Sequence, residues 1–163
     1  MSAGNGSLAK RLAALDPNAY RALIGRELGS SGWLQIDQTM IDGFASAILD
    51  REVTPPEPVL SGGHLRGAAV AHPFLTLSLL SALARQIVPP VAGAVMSVNY
   101  GIDKLRFLAP VPAGARIRGH FTLQDLRERR AREWLLVLGV RVEIEGSEEP
   151  ALTAQWLGLQ VTS

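Results

Sequence analysis

The sequence predicts an α+β domain in which a curved antiparallel sheet wraps around one long central helix. Three observations carry this expectation. Residues 73–88 are apolar on nearly every side, and a helix with no polar face has to be buried. After residue 94 the apolar residues mostly fall at every second position, with turn residues at the breaks. That is the pattern of half-buried antiparallel strands. The helix precedes the strands, so it supplies the apolar partner that a one-sided sheet requires.

The elements follow in chain order. A length of 163 residues suits one domain that can bury a real core. Leu8, Leu12, Leu15, Leu23 and Ile24 are spaced among charges. They predict short amphipathic helices, interrupted at Asp16-Pro17. Residues 1–30 are taken as an N-terminal helical extension and 31–163 as the single domain. The stretch GWLQID, 32–37, reads as a short strand. Asp37 is suited to cap a helix. Ile41, Phe44, Ala45 and Ile48 behind it repeat at helical spacing, which predicts a helix over 38–49. Residues 50–68, DREVTPPEPVLSGGHLRGA, hold three prolines and three glycines and read as a loop. So long a connection in a small domain usually means function or disorder.

The helix over 73–88 ends at Pro89-Pro90. At ~1.5 Å per residue it would be about 24 Å long, the thickness of a small domain. Strands are expected over 94–108, 116–124, 134–145 and 151–162. In the third of these, Trp134, Leu136, Leu138, Val140, Val142 and Ile144 share a face.

Composition narrows the function. The chain is 47% apolar and 19% charged, with a formal net charge of +1. Nothing in that balance calls for a nucleic-acid or membrane-surface partner. Arginines cluster from Arg127 to Arg132, but Glu128 and Glu133 interrupt them, and the run reads as a solvated turn. The absence of cysteine excludes disulfides, thiolate metal sites and a cysteine nucleophile. The three histidines, His64, His72 and His120, show no ligand spacing, so no metal and no other cofactor is expected. The first residues hold no continuous apolar segment, and no run approaches the ~18 residues of a membrane span. The cytoplasm is the expected location.

The helix start is the point of chemical interest. A helix N-terminus offers unpaired N–H groups and the positive end of its dipole. Such donors can stabilise a thioester enolate. Here Pro73 occupies the first turn, a position that suits proline because the missing N–H is spare. It also removes one donor. Asp50 stands after the second helix. Ser78 and Ser81 are three apart on one helix face, and each is able to bond a carbonyl one turn back. Asn99, Tyr100 and Arg106 are expected to serve fold and interface.

Four stretches together resemble a known family: GWLQIDQTMIDGFASAILD (32–50), AVAHPFLTLSLLSAL (69–83), VNYGIDKLRFLAPVPAGARIRG (98–119) and VEIEGSEEPALTAQWLGL (142–159). The family is that of the MaoC-like (R)-specific enoyl-thioester hydratases and dehydratases, in the branch related to nodulation protein N. The resemblance implies a hot-dog fold, paired as a dimer, with acyl-thioester sites at the dimer interface. Family hydratases carry Asp-x4-His, a pair that positions or activates water. Asp50 matches that Asp, whereas Pro55 stands at the His position. The family's Ala-His-Gly at the central helix is here Ala71-His72-Pro73, so the Gly that gives its N–H to the thioester oxygen is replaced. Ser81 matches a serine that helps to orient the catalytic Asp. His72 corresponds to the family's second histidine, not the usual catalytic one, and is expected to cap or pack at the helix start.

The resemblance therefore implies a protein that takes an acyl thioester, on CoA or an acyl carrier protein, or a molecule derived from one. The expected catalytic residues are Asp50, His64 and Ser81, with His72, Pro73, Pro55 and Ser78 lining the substrate site. Glu52 and Glu57 are weaker acid–base candidates. Because two parts of the hydration machinery are replaced, altered lyase, isomerase or cyclase chemistry is expected, in a homodimer. A non-catalytic acyl-binding subunit of a heterodimer is one alternative. An ordinary (R)-specific hydratase that brings His64 over Asp50 is another.

Overall fold

The computed structural model describes residues 12–50 and 69–163. Alternation decides the sheet. In β4 (Arg116–Arg130) Ile117, Phe121 and Leu123 are buried while Arg116, Arg118 and His120 face outward. In β5 (Glu133–Ile144) Leu136, Leu138, Val140, Val142 and Ile144 turn inward. β6 (Leu152–Thr162) and β3 (Ala94–Phe107) complete the large strands, and with β1 (Glu27–Ser30) the order across the sheet is β1-β4-β5-β6-β3, all antiparallel. Breaks in register at several points of β3 and β4 mark bulges, and bulges bend and twist a strand. The result is the curved sheet of a hot-dog fold, closed over a central helical segment.

Two edges of this sheet differ. Short β1 (Glu27–Ser30) and β2 (Leu34–Gln35) both pair with β4 and cover that side. On the other side β3 pairs with β6 alone among the described strands. Along it Val95, Met96, Val98, Tyr100 and Ile102 are substantially exposed.

Several elements depart from their expected extents, each for a physical reason. Residues 27–30, assigned by pattern to a helical extension, form β1. Backbone pairing to His120–Thr122 makes them a strand, and nothing in ELGS announces it. The preceding α1 (Pro17–Arg21) is a helix of one turn and a half, capped by Asp16. Its Tyr20 is wholly buried in the core and donates a hydrogen bond to the Pro89 carbonyl at 2.7 Å. Burial pushes the Tyr20 phenol well above its ordinary pKa. The described part of the first 30 residues thus shares the core of the sheet.

The central helix is shorter than its apolar run. It comprises α3 (Pro73–Ser78) and α4 (Leu80–Ala84), separated at Leu79. The Ser78 hydroxyl donates to the Phe74 carbonyl at 2.7 Å, and such back-bonding bends helices. Leu75, Leu80, Leu83 and Ala84 are buried against the core, while Phe74 and Ser78 are exposed. β4 runs six residues past its expected end at 124. The arginine run therefore belongs to a strand, and the turn is only Ala131-Arg132, with Arg132 at φ 68°. No helix among the described residues is long and apolar enough to cross a membrane.

The outer face of β4 and β5 carries a charge ladder. Arg118 hydrogen-bonds Glu143 through both Nε and Nη2, and His120 Nε2 lies 2.6 Å from the same carboxylate. Arg118, then His120, hold the Glu143 carboxyl at about 2, below an ordinary 4.5. A depressed folded pKa contributes stability above the unfolded value, and that contribution is lost as pH falls toward the folded one. The urea midpoint is expected to fall between pH 4.5 and about 2, and less steeply in Glu143→Gln. Equal slopes in both proteins would remove Glu143 from the acid response.

Candidate functional site

The site is built where the end of one helix meets the start of another. α2 (Gln38–Ala47) begins at Asp37, whose carboxylate accepts the Met40 N–H at 2.8 Å. Ile41 and Ala45 bury its inner face. At its far end the Leu49 N–H donates to Ser46 O and the Asp50 N–H to Ala45 O, at 3.3 and 3.0 Å. This paired closure, a Schellman motif, needs a left-handed residue, usually glycine, before the last donor. That residue is Leu49, at φ 60° and 81% exposed. Its side chain gains little, and its backbone is strained to hold Asp50 in place. Leu49→Gly is expected to stabilise the fold by about 0.5–1 kcal/mol, the relieved strain less the added freedom of the unfolded chain. A thermal melt checks this, and a lower Tm would show that Leu49 makes a compensating contact.

The second half is anchored by backbone pairing. Ala71 N–H donates to Val111 O and Ala113 N–H to Ala69 O, both at 2.8 Å. The chain then enters α3 with His72 as N-cap and Pro73 in the first turn. His72 Nδ1 accepts the Phe74 N–H at 3.1 Å, and the Leu75 N–H donates to His72 O at 2.8 Å. The imidazole lies beside Phe44 and Phe74, with ring centres 5.7 and 5.4 Å away. Phe74 in turn meets Phe107 of β3 at 5.7 Å. On its free side His72 Nε2 stands 3.7 Å from Asp50 Oδ2.

The structure thus brings together Asp50, His72 and Pro73. It does not bring Ser81 to Asp50. The Ser81 hydroxyl accepts from Asn99 Nδ2 at 3.2 Å. It lines, with Ser78, Leu77, Asn99, Ile102 and Trp156, a hollow of about 220 Å³ between the central helix and the sheet. Ser78 bonds one turn back, as its position on the helix suggests. His64 and Pro55, with Glu52 and Glu57, lie outside the described residues. His120 is engaged by Glu27 and Glu143 on the outer face, on a different element from Asp50 and His72. The Phe44–His72–Phe74–Phe107 row was not foreseen, because Phe44 at helical spacing reads as an ordinary core residue. Nor was the Asn99 bond to Ser81.

Chemically, the site offers a half-exposed carboxylate, an imidazole beside it and an aromatic wall. It does not offer the usual helix-start donors. Pro73 has no N–H, and those of Phe74 and Leu75 are both consumed by His72.

Comparison with known proteins gives the family and the fold. Residues 20–143 match the family model described as MaoC like domain. Nodulation protein N of Rhizobium meliloti is 42% identical over 139 residues, which are 85% of this chain and 86% of that protein. A Mycobacterium tuberculosis protein named 3-hydroxyacyl-thioester dehydratase Z is 34% identical, over 82% of this chain and 88% of that one. Among solved structures, an (R)-hydratase from A. caviae involved in PHA biosynthesis superposes with a TM-score of 0.62 at 21% identity. That match covers 83% of this chain and 94% of the hydratase.

Proposed function

Because this chain belongs to the MaoC-like domain family, we propose that it takes an acyl thioester, or a molecule released from one, and that Asp50 moves a proton on it. The thioester is carried by CoA or an acyl carrier protein, and the chemistry is a lyase, isomerase or cyclase step other than simple hydration.

The state of the helix start carries this reading. The N–H groups able to hold a thioester enolate are absent at Pro73 and spent on His72 at Phe74 and Leu75. Loss of one such donor typically costs ~3–4 kcal/mol of transition-state stabilisation. Pro55, where the family's water-positioning His would stand, points the same way, since a general base typically contributes ~10²–10⁴ in rate. A cyclisation tolerates the loss of the water-positioning His. The substrate's own hydroxyl is the nucleophile, so no water need be activated, and the pocket supplies proximity.

Purified protein is to be assayed against a panel of trans-2-enoyl-CoA thioesters, with Asp50→Asn beside it. The expected result is no hydration above background at any chain length. Clear turnover that vanishes in Asp50→Asn would restore ordinary hydration and defeat the altered-chemistry reading.

A second reading is favoured by one observation, the apolar edge of β3 that is unpaired among the described residues. That edge suits a different hot-dog chain as well as a copy of this one, and the protein would then be the acyl-binding subunit of a heterodimer. Copurification of a second hot-dog chain would support it; a homodimer formed by the pure protein would count against it.

A further inference from the structure

We infer that His72 is the positioning residue of Asp50, holding the carboxylate through a hydrogen bond from Nε2–H. It takes the part that the resemblance assigns to Ser81, and it does so without acting as a base. The inference rests on the proposed role of Asp50.

Three observations combine. The first is the cap. Nδ1 of His72 accepts the Phe74 N–H at 3.1 Å, so this nitrogen must present a lone pair. A neutral imidazole with a lone pair on Nδ1 carries its proton on Nε2. The helix cap therefore sets the tautomer. The second is direction. Nε2 is the ring nitrogen nearest Asp50, 3.7 Å from Oδ2. The separation is looser than a hydrogen bond, and contacts of this kind in unliganded sites commonly tighten when substrate arrives. The third is restraint. Phe44 and Phe74 flank the ring, and Pro73 fixes the backbone that carries it. The ring cannot turn its other nitrogen to Asp50 without giving up the cap.

The same geometry excludes proton abstraction by His72. Its Nε2 already holds a proton, and a proton on Nδ1 would face the Phe74 N–H. What remains is a fixed donor. Among the described residues the titratable group facing the ring is Asp50. Asp50 itself is placed from the other side by its backbone bond to Ala45. Ser81, the alternative orienting group, makes its side-chain hydrogen bond with Asn99 rather than with Asp50 among the described residues.

The test needs no substrate. Long-range 1H–15N correlations of the imidazole rings are recorded above neutral pH for wild type, Asp50→Ala and His72→Asn. The last variant assigns the His72 signals by their loss. Asn is among the best N-caps, so it keeps the helix start, but its side chain ends short of Asp50. The expected result is a His72 ring protonated on Nε2, whose Nε2 signal moves in Asp50→Ala while Nδ1 stays. The Asp50 carboxyl 13C signal is also expected to move in His72→Asn at an unchanged melting temperature. A cap alone predicts neither movement. A proton on Nδ1, or ring and carboxyl signals indifferent to each other's substitution, would overturn the inference. Because these signals are read without turnover, failure of the thioester reading shows in the enoyl-CoA assay and failure of the pairing shows here.

Discussion

Phe121→Ala is expected to lower the unfolding free energy by about 3–5 kcal/mol, the range for removing a large aromatic from a packed core. Phe121 has no exposed surface. It lies where the helix comes nearest to the sheet. A Cβ on neighbouring Gly119 would sit 2.8 Å from the Phe121 ring and 3.4 Å from Leu83 Cβ. Gly119 thus leaves the room that lets α4 settle against β4, and the ring fills the remainder. With alanine at 121 neither element can close the gap, since β4 is held between β5 on one side and β1 and β2 on the other. Domains of this size hold only about 5–15 kcal/mol in total, so the loss should be evident in urea unfolding followed by circular dichroism. A change below about 1 kcal/mol would mean that the helix collapses onto the sheet and that the site can relax.

Charge placed on the β3 edge is expected to have the other large effect. Residues 94–102, AVMSVNYGI, contain no charge and no proline. They form most of a 14-residue strand with one side unpaired among the described residues, and Val95 is 71% exposed. A long apolar edge invites pairing with another strand unless something covers it. Phe74 and Phe107, both substantially exposed, extend the same surface toward His72. A second copy would cover this edge and bring its own β3 alongside the candidate site. Val98→Glu with Ile102→Glu would oppose like charges across such a pair, which costs several kcal/mol. Light scattering is expected to show a dimer for the wild type and a monomer for the double variant. A dimer that survives both substitutions would place the interface elsewhere, and a wild-type monomer would defeat the pairing of two copies through this edge.

Asp50 and His72 were each legible in the sequence as single residues. The first follows an amphipathic helix and matches the Asp of a family motif, and the second opens an apolar run. Their pairing was not legible. They stand 22 positions apart in the chain. What joins them is the closure of α2 at Leu49 and the anchoring of residues 69–71 to 111–113. Ser81 shows the reverse case. The family resemblance implied that it orients Asp50, but its side-chain hydrogen bond is with Asn99, on a strand 18 residues away.

The sequence by itself determined the alternating strands, the capped α2, the buried face of the central helix and the family. Those properties are written in spacings of two to four residues, where the pattern of apolar groups and the local backbone bonds coincide. Tertiary structure alone decided that ELGS is a strand, that β4 continues through the arginines, and that the first donors of α3 are spent on His72. It also brought His72 to within 3.7 Å of Asp50. Each depends on a partner far along the chain, and local patterning carries no information about which distant backbone or side chain will arrive within hydrogen-bonding distance.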